Sequence, residues 1–167
     1  MSTAMNHVAV SVTDIKRAME WYRDTLGMSV LAEPVKISAS GGADTDPHLA
    51  ALVRNVFGPG LGSFLICHMI TVNGVGIELF QFLEPRADRR QENFDYWRTG
   101  YFHIAITEPL IAELAERIGS NGGKKRTDVL ELTPGSDKKI CFCEDPFGNI
   151  IEIYSHSYEQ FWSVAKR

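Results

Sequence analysis

Two histidines and two glutamates occupy matching places in this 167-residue chain, and both residue types are suited to holding a metal ion. His7 opens the segment His7-Val8-Ala9-Val10-Ser11, and His103 opens a near copy, His103-Ile104-Ala105-Ile106-Thr107. Glu78 lies in Gly76-Ile77-Glu78-Leu79-Phe80, and Glu152 in Asn149-Ile150-Ile151-Glu152-Ile153-Tyr154. A single strand histidine is ordinarily a packing or surface residue. A single ionised carboxylate among apolar neighbours on a central strand is costly. Two of each, at equivalent positions of a duplicated unit, have a common explanation in a shared cation. Imidazole and carboxylate suit Zn, Ni, Co, Mn or Fe, so one divalent transition metal is the expected cofactor.

The elements that must carry these groups follow from periodicity. Each histidine segment alternates with period two and is rich in β-branched residues, the pattern of a strand. His7, Ala9 and Ser11 then share one face, opposite Val8, Val10 and Val12. His103, Ala105 and Thr107 likewise oppose Ile104 and Ile106. The valine and isoleucine faces are expected to lie under helices, leaving each histidine among small side chains that make room for a ligand. A helix with Asp14 as its cap and Gly27 past its end follows the first strand. A second starts near Pro109 and carries Ile111, Leu114 and Ile118. Each half ends on a strand with one carboxylate, so a twice-repeated βαβββ unit is the economical reading.

The halves differ in length, and the excess falls mostly in residues 35–62, where 48–57 has the character of a short helix. An insertion of this size is tolerable in a loop and is long enough for a functional lid; the sequence leaves both open. The Asn73-Gly74 pair suits a two-residue type I′ hairpin, and counting back through it sets Glu78 opposite Met69. Glu78, Phe80 and Phe82 then share a face, as do Ile150, Glu152 and Tyr154. On this register His68 faces away from Glu78 and reads as structural. His48 and His156, in the insertion and the tail, receive no role.

Composition narrows the function class. Hydrophobic residues make up 44% and charged residues 23%, with a formal net charge of -4. That is an ordinary globular composition with enough apolar material for a core. The one dense basic cluster, Lys124-Lys125-Arg126, reads as a solvated loop, so no nucleic-acid partner is expected. The N-terminal MSTAMNHVAV lacks a basic leader followed by an apolar run, and no stretch approaches the ~20 apolar residues of a membrane helix. A cytoplasmic location without a membrane partner is the expectation. Three cysteines fit reduced thiols. Cys141 and Cys143 share a strand face, as a soft-metal pair or, preferably, as two buried small hydrophobes.

The segments NHVAVSVTD, WYRDTLGM, FHIAIT and above all EDPFGNIIEIYS resemble the vicinal oxygen chelate superfamily, over about residues 6–156. That superfamily includes glyoxalase I, methylmalonyl-CoA epimerase, extradiol dioxygenases, and fosfomycin and bleomycin resistance proteins. The resemblance implies an α+β fold in which two βαβββ modules, 6–84 and 100–156, form a cupped mixed sheet around a metal, with 157–167 as a tail. It implies His7, Glu78, His103 and Glu152 as ligands. The metal would bind two adjacent oxygens of a small-molecule substrate. Glu152 would be the base, and Glu78 a ligand and a possible acid or base on the opposite face. A homodimer is also implied.

Among the branches, bleomycin-type binding proteins generally dispense with the metal. Extradiol dioxygenases use three ligands, a tyrosine where Phe142 stands, and a histidine upstream that residues 132–141 lack. The four-ligand set most resembles glyoxalase I. Its substrate grip does not carry over: an arginine and an asparagine of that family fall here on Ser11 and Phe82, and Arg98 stands only near a further expected arginine. Ser11, Phe80, Phe82, Arg98 and Tyr154 are the expected substrate-side residues, with Phe80, Phe82 and Tyr154 either facing a less polar ligand or packing the cup. The expected activity is a metal-dependent lyase or isomerase reaction by proton transfer, with an Fe(II) extradiol-type dioxygenase or a non-catalytic binding protein as alternatives.

Overall fold

The protein is described by a computed structural model covering residues 2–92 and 94–163. It divides into two units, Met1–Arg89 and Arg90–Arg167. The mixed strands and few helices are those of the α+β class expected from the sequence.

In the first unit the order is β1 (His7–Ser11), α1 (Ile15–Leu26), β2 (Ser29–Ser38), α2 (Pro47–Phe57), β3 (Ser63–Ile70) and β4 (Gly76–Glu84). The sheet order is β1-β4-β3-β2, with β1 parallel to β4 and the other pairs antiparallel. Asp14 caps α1 by accepting the Arg17 N–H at 3.1 Å, and Gly27 ends it in the left-handed conformation at φ 71°. Ile15, Ala18, Met19 and Tyr22 of α1 are buried, as are Val10, Val12, Cys67, Met69, Ile77 and Leu79 of the sheet. These sheet residues share the parity opposite to Glu78, so the apolar alternation selects the helix-covered face.

The 35–62 insertion is a built element. It completes β2 and adds α2, which Asp46 caps through the His48 and Leu49 N–H groups. Leu49 and Val53 of α2 join Ile37, Phe64, Ile66, Phe80 and Phe82 in a second core. Phe64, Phe80 and Phe82 have the parity of Glu78, so α2 covers part of the sheet face opposite α1.

The second unit runs β5 (Ile104–Thr107), α3 (Ile111–Ser120), β6 (Lys124–Lys125), β7 (Leu130–Glu131), β8 (Lys139–Glu144), β9 (Ile150–Tyr154) and α4 (Tyr158–Trp162). Its order is β5-β9-β8-β6, with β7 also paired to β8. Ile111, Leu114, Ala115 and Ile118 of α3 are buried, as are Cys141, Cys143, Ile151 and Ile153. The tail forms α4 behind a Ser157–Gln160 capping box, and its Phe161 packs edge-on against Tyr154 with ring centroids 4.5 Å apart.

Two expectations are corrected. Lys124-Lys125-Arg126 is not a solvated loop. Lys124 and Lys125 form an edge strand on β8, Lys125 pairs with Glu116 at 2.9 Å, and Arg126 pairs with Glu144 and Glu92. Charge on a sheet edge discourages further strand pairing, which a reading of the basic run alone overlooks. The β3–β4 register also differs: Glu78 lies opposite His68, not Met69. Thr71 and Val75 close the turn through the Thr71 N–H on the Val75 carbonyl at 3.0 Å. The loop therefore has three residues, with Gly74 left-handed at φ 85°, where a two-residue turn was expected. One extra loop residue moves His68 to the Glu78 face.

Candidate metal centre

Each unit brings one histidine and one glutamate together by the same device. In the first, Ala9 on β1 pairs with Glu78 on β4, and His7, two residues before Ala9, shares its face. His7 Nε2 stands 3.4 Å from Glu78 Oε2. In the second, Ala105 on β5 pairs with Glu152 on β9, and His103 Nε2 lies 3.2 Å from Glu152 Oε2. A small alanine beside each carboxylate leaves the histidine room to reach over.

The His7 pair has a specific electrostatic requirement. Its Nδ1 is 2.7 Å from the Asn6 side-chain oxygen, which can only accept a hydrogen bond. With the proton on Nδ1, Nε2 of the neutral form would turn a lone pair toward the Glu78 carboxylate. Two acceptors facing each other repel unless a proton or a metal ion stands between them. Asn6 would then be the outer partner that favours the tautomer able to ligate through Nε2. Two ligands each about 2.1 Å from one ion at a tetrahedral angle lie roughly 3.4 Å apart, so both pair spacings suit a shared ion. The residues present therefore fit a divalent metal. His103 differs in its outer partner: its Nδ1 is buried with no hydrogen bond. Among the described residues no three His, Cys, Asp or Glu side chains are gathered so as to hold an ion, and what each unit supplies is a pair.

The two carboxylates have different surroundings. Glu152 is buried, and burial raises its pKa, against the opposing pulls of His103 and of a hydrogen bond from Tyr154. The Tyr154 hydroxyl is itself pushed up, first by burial and then by the charge of Glu152, and takes a hydrogen bond from Trp162 on α4. Glu78 is more open, and each of its oxygens faces a different imidazole, His7 on one side and His68 at 3.5 Å on the other. His68 is the site residue that sequence reasoning missed; the turn length that reveals it is set by the Thr71–Val75 closure.

The other expected residues fall as follows. Phe80 and Phe82 stack at 5.7 Å and lie under Phe57 and against Phe64, where they anchor α2. Ser11 ends β1 on the His7 face. Arg98 is exposed and pairs with Asp95 at 3.4 Å. An open cleft of about 490 Å³ lined by Lys36, Arg54 and Glu84 lies at the other end of the first sheet and includes none of the candidate ligands.

The cysteines sit apart from this chemistry. All three are buried, and Cys141 and Cys143 lie 4.0 Å apart, sulfur to sulfur, on the α3 side of their sheet. Burial pushes the Cys143 thiol up to about 12, with Cys141 adding to it, and burial pushes Cys67 to about 11. Raised pKa values leave almost no thiolate near neutrality. In a thiol-reagent assay at pH 8, the native chain is expected to stay unreactive for many minutes. Reagent uptake by all three cysteines should follow only on unfolding. Rapid titration of any native thiol contradicts this burial.

Comparison with known proteins adds the following. Residues 4–153 match the Glyoxalase/Bleomycin resistance protein/Dioxygenase superfamily. No curated protein matches the chain by sequence. A glyoxalase family protein from Bacillus cereus superposes with a TM-score of 0.71 at 18% identity, over 92% of this chain and 94% of that one. Glyoxalase I from Zea mays gives 0.62 at 20% identity over 92% of this chain. This chain spans only 44% of the maize protein. A variant of the fosfomycin resistance protein FosX from Listeria monocytogenes, solved with Mn(II) and 1S,2S-dihydroxypropylphosphonic acid, gives 0.59 at 15% identity over 96% and 95% of the two chains. These likenesses are of fold. The match over nearly the whole chain identifies this protein as a member of the Glyoxalase/Bleomycin resistance protein/Dioxygenase superfamily.

Proposed function

We propose that this chain is a metal-dependent lyase or isomerase of the glyoxalase I-like type, which moves a proton at a carbon beside two vicinal oxygens of a small-molecule substrate. His7, Glu78, His103 and Glu152 hold the ion. The observation that carries this reading is the His7–Glu78 pair, whose Nε2 and carboxylate oxygen face each other at 3.4 Å with the ligating tautomer favoured by Asn6. When bound, the metal supplies Lewis-acid polarisation of the substrate oxygens, which acidifies the neighbouring C–H.

The side chains do the rest. Glu152 is the general base in this reading, since burial raises its affinity for a proton above that of an ordinary carboxylate. The Tyr154 hydroxyl, hydrogen-bonded to Glu152, orients that carboxylate. Glu78 is the second carboxylate ligand and serves the opposite face. Phe80 gives the surface next to Glu78 an apolar character. Ser11 and Arg98 contact the substrate in this reading, which also includes a homodimer.

Elemental mass spectrometry of the purified chain tests it. The wild type is expected to carry about one transition-metal ion per chain, and His7→Ala and Glu78→Ala to lose most of it. A wild type that holds no metal, even after incubation with Zn, Ni, Mn or Fe(II), sinks the catalytic reading. A metal-free binding protein would then be left.

A further inference from the structure

The His–Glu pairs of the two units are unequal, and the inequality lies in one cross-strand neighbour. Glu78 is flanked on its face by Ala9 and His68, and Glu152 by Ala105 and Phe142. Phe142 packs edge-on against His103 with ring centroids 5.8 Å apart and has no group to offer a carboxylate. His68 occupies the corresponding place and directs Nδ1 to Glu78 Oε1 at 3.5 Å, while His7 Nε2 faces Oε2 at 3.4 Å. Packing does not explain the imidazole. The His68 side chain is 42% exposed, and the same position in the second unit is served by a phenyl ring.

We infer that His68 is a positioning residue for Glu78: it holds one carboxylate oxygen so that the other stays turned toward His7 and the ion. This rests on the metal-centre reading above. A glutamate on an open strand face rotates about its last bond and presents either oxygen. A His68 Nδ1 that carries a proton would bind the oxygen it faces and leave the other for ligation. His68 reaches the Glu78 oxygen turned away from His7, so in this reading it holds a ligand and is not one. The consequence is a division of labour. Glu78, held on both sides, is the permanent ligand. Glu152, which has no second imidazole, is the carboxylate left to take the proton.

Co(II) serves as the probe, titrated into the metal-free full-length wild type, His68→Ala and His68→Gln, with affinity and the visible absorption spectrum both recorded. His68→Ala should bind Co(II) 10- to 100-fold more weakly, the usual effect of losing an outer-sphere partner. His68→Gln, whose amide N–H can donate to the same oxygen, should recover most of that loss. The band position and intensity should match the wild type in both variants, since no ligand is removed. Unchanged affinity in His68→Ala overturns the inference, as does a glutamine variant no better than alanine. A changed spectrum overturns it too, because His68 would then be a ligand. If the wild type binds no Co(II), the metal-centre reading falls and this inference with it.

Discussion

Glu152→Gln is expected to lower turnover by about 10³-fold or more, because the exchange keeps the shape of the side chain and removes the proton acceptor. The substrates to use are methylglyoxal hemithioacetals and acyl-CoA epimers, with solvent-deuterium exchange at the reacting carbon as the direct readout. Glu78→Gln should cost mainly metal, whereas Glu152→Gln should cost exchange even in samples that retain it. The same variant has a second signature in metal-free protein. Burial raises the Glu152 pKa above its ordinary 4.5, so ionising it opposes folding. Stability from this group is complete below pH 4.5 and is lost as pH rises through the folded value. Glutamine cannot ionise and suffers no such loss. In chelator-treated protein, Glu152→Gln should therefore melt above wild type at neutral pH, and the gap should close below pH 4.5. A gap that opens toward acid would mean that His103 and Tyr154 outweigh burial, and Glu152 would then be a poor base.

How much of this was legible in the sequence depended on what each residue's position rests on. His7, Glu78 and Glu152 lie in strands with one strongly apolar face, and His103 directly precedes such a strand, so the alternation alone put each on the side away from its helix. Val10, Leu79, Ile151 and Ile153 are all buried on the opposite side, as that pattern requires. Capping signals at Asp14 and Gly27 gave α1 its limits for the same local reason. His68 was not legible, because its face depends on a loop length. Asn73-Gly74 announces a hairpin without stating whether two or three residues make the loop. Here Thr71, whose hydroxyl also accepts the Val75 N–H at 3.0 Å, closes it one residue earlier than a two-residue turn allows. Arg126 was obscured differently. A basic run looks solvated until its acidic partners, Glu92 and Glu144, are brought from distant parts of the chain.

The first and second units also show how one βαβββ frame supports different environments. The carboxylate strand and its parallel neighbour are alike in both, as is the alanine between them. Differences enter through the third strand and through what covers the open face. In the first unit β3 supplies His68, and the inserted α2 lays Phe57 over Phe64, Phe80 and Phe82. In the second, β8 supplies Phe142, and α4 brings Phe161 and Trp162 to Tyr154. The more buried carboxylate is Glu152, whose cross-strand neighbour is the aromatic Phe142.

Asp145→Ala is expected to destabilise the fold by about 3–5 kcal/mol, although Asp145 is neither a ligand nor part of the proposed chemistry. It is 1% exposed, and one oxygen accepts the Phe147 and Asn149 N–H groups at 2.8 Å each. The other accepts the Asn149 side-chain N–H at 2.8 Å. Hydrogen bonds to an ionised group contribute more than neutral ones, and alanine would leave their donors without these partners in the interior. The turn they build runs from Asp145 to Asn149, with Gly148 left-handed at φ 89°. It sets the β8–β9 register in which Phe142 lies opposite Glu152. A slip of one residue would send Glu152 to the α3 side, so the turn places the base without touching it. Asp145→Asn should be milder, since its carbonyl oxygen still accepts the two backbone N–H groups while its amide meets the Asn149 amide. Urea unfolding of the three proteins measures the differences. A loss under about 1 kcal/mol for Asp145→Ala would show that the turn holds its shape without the carboxylate.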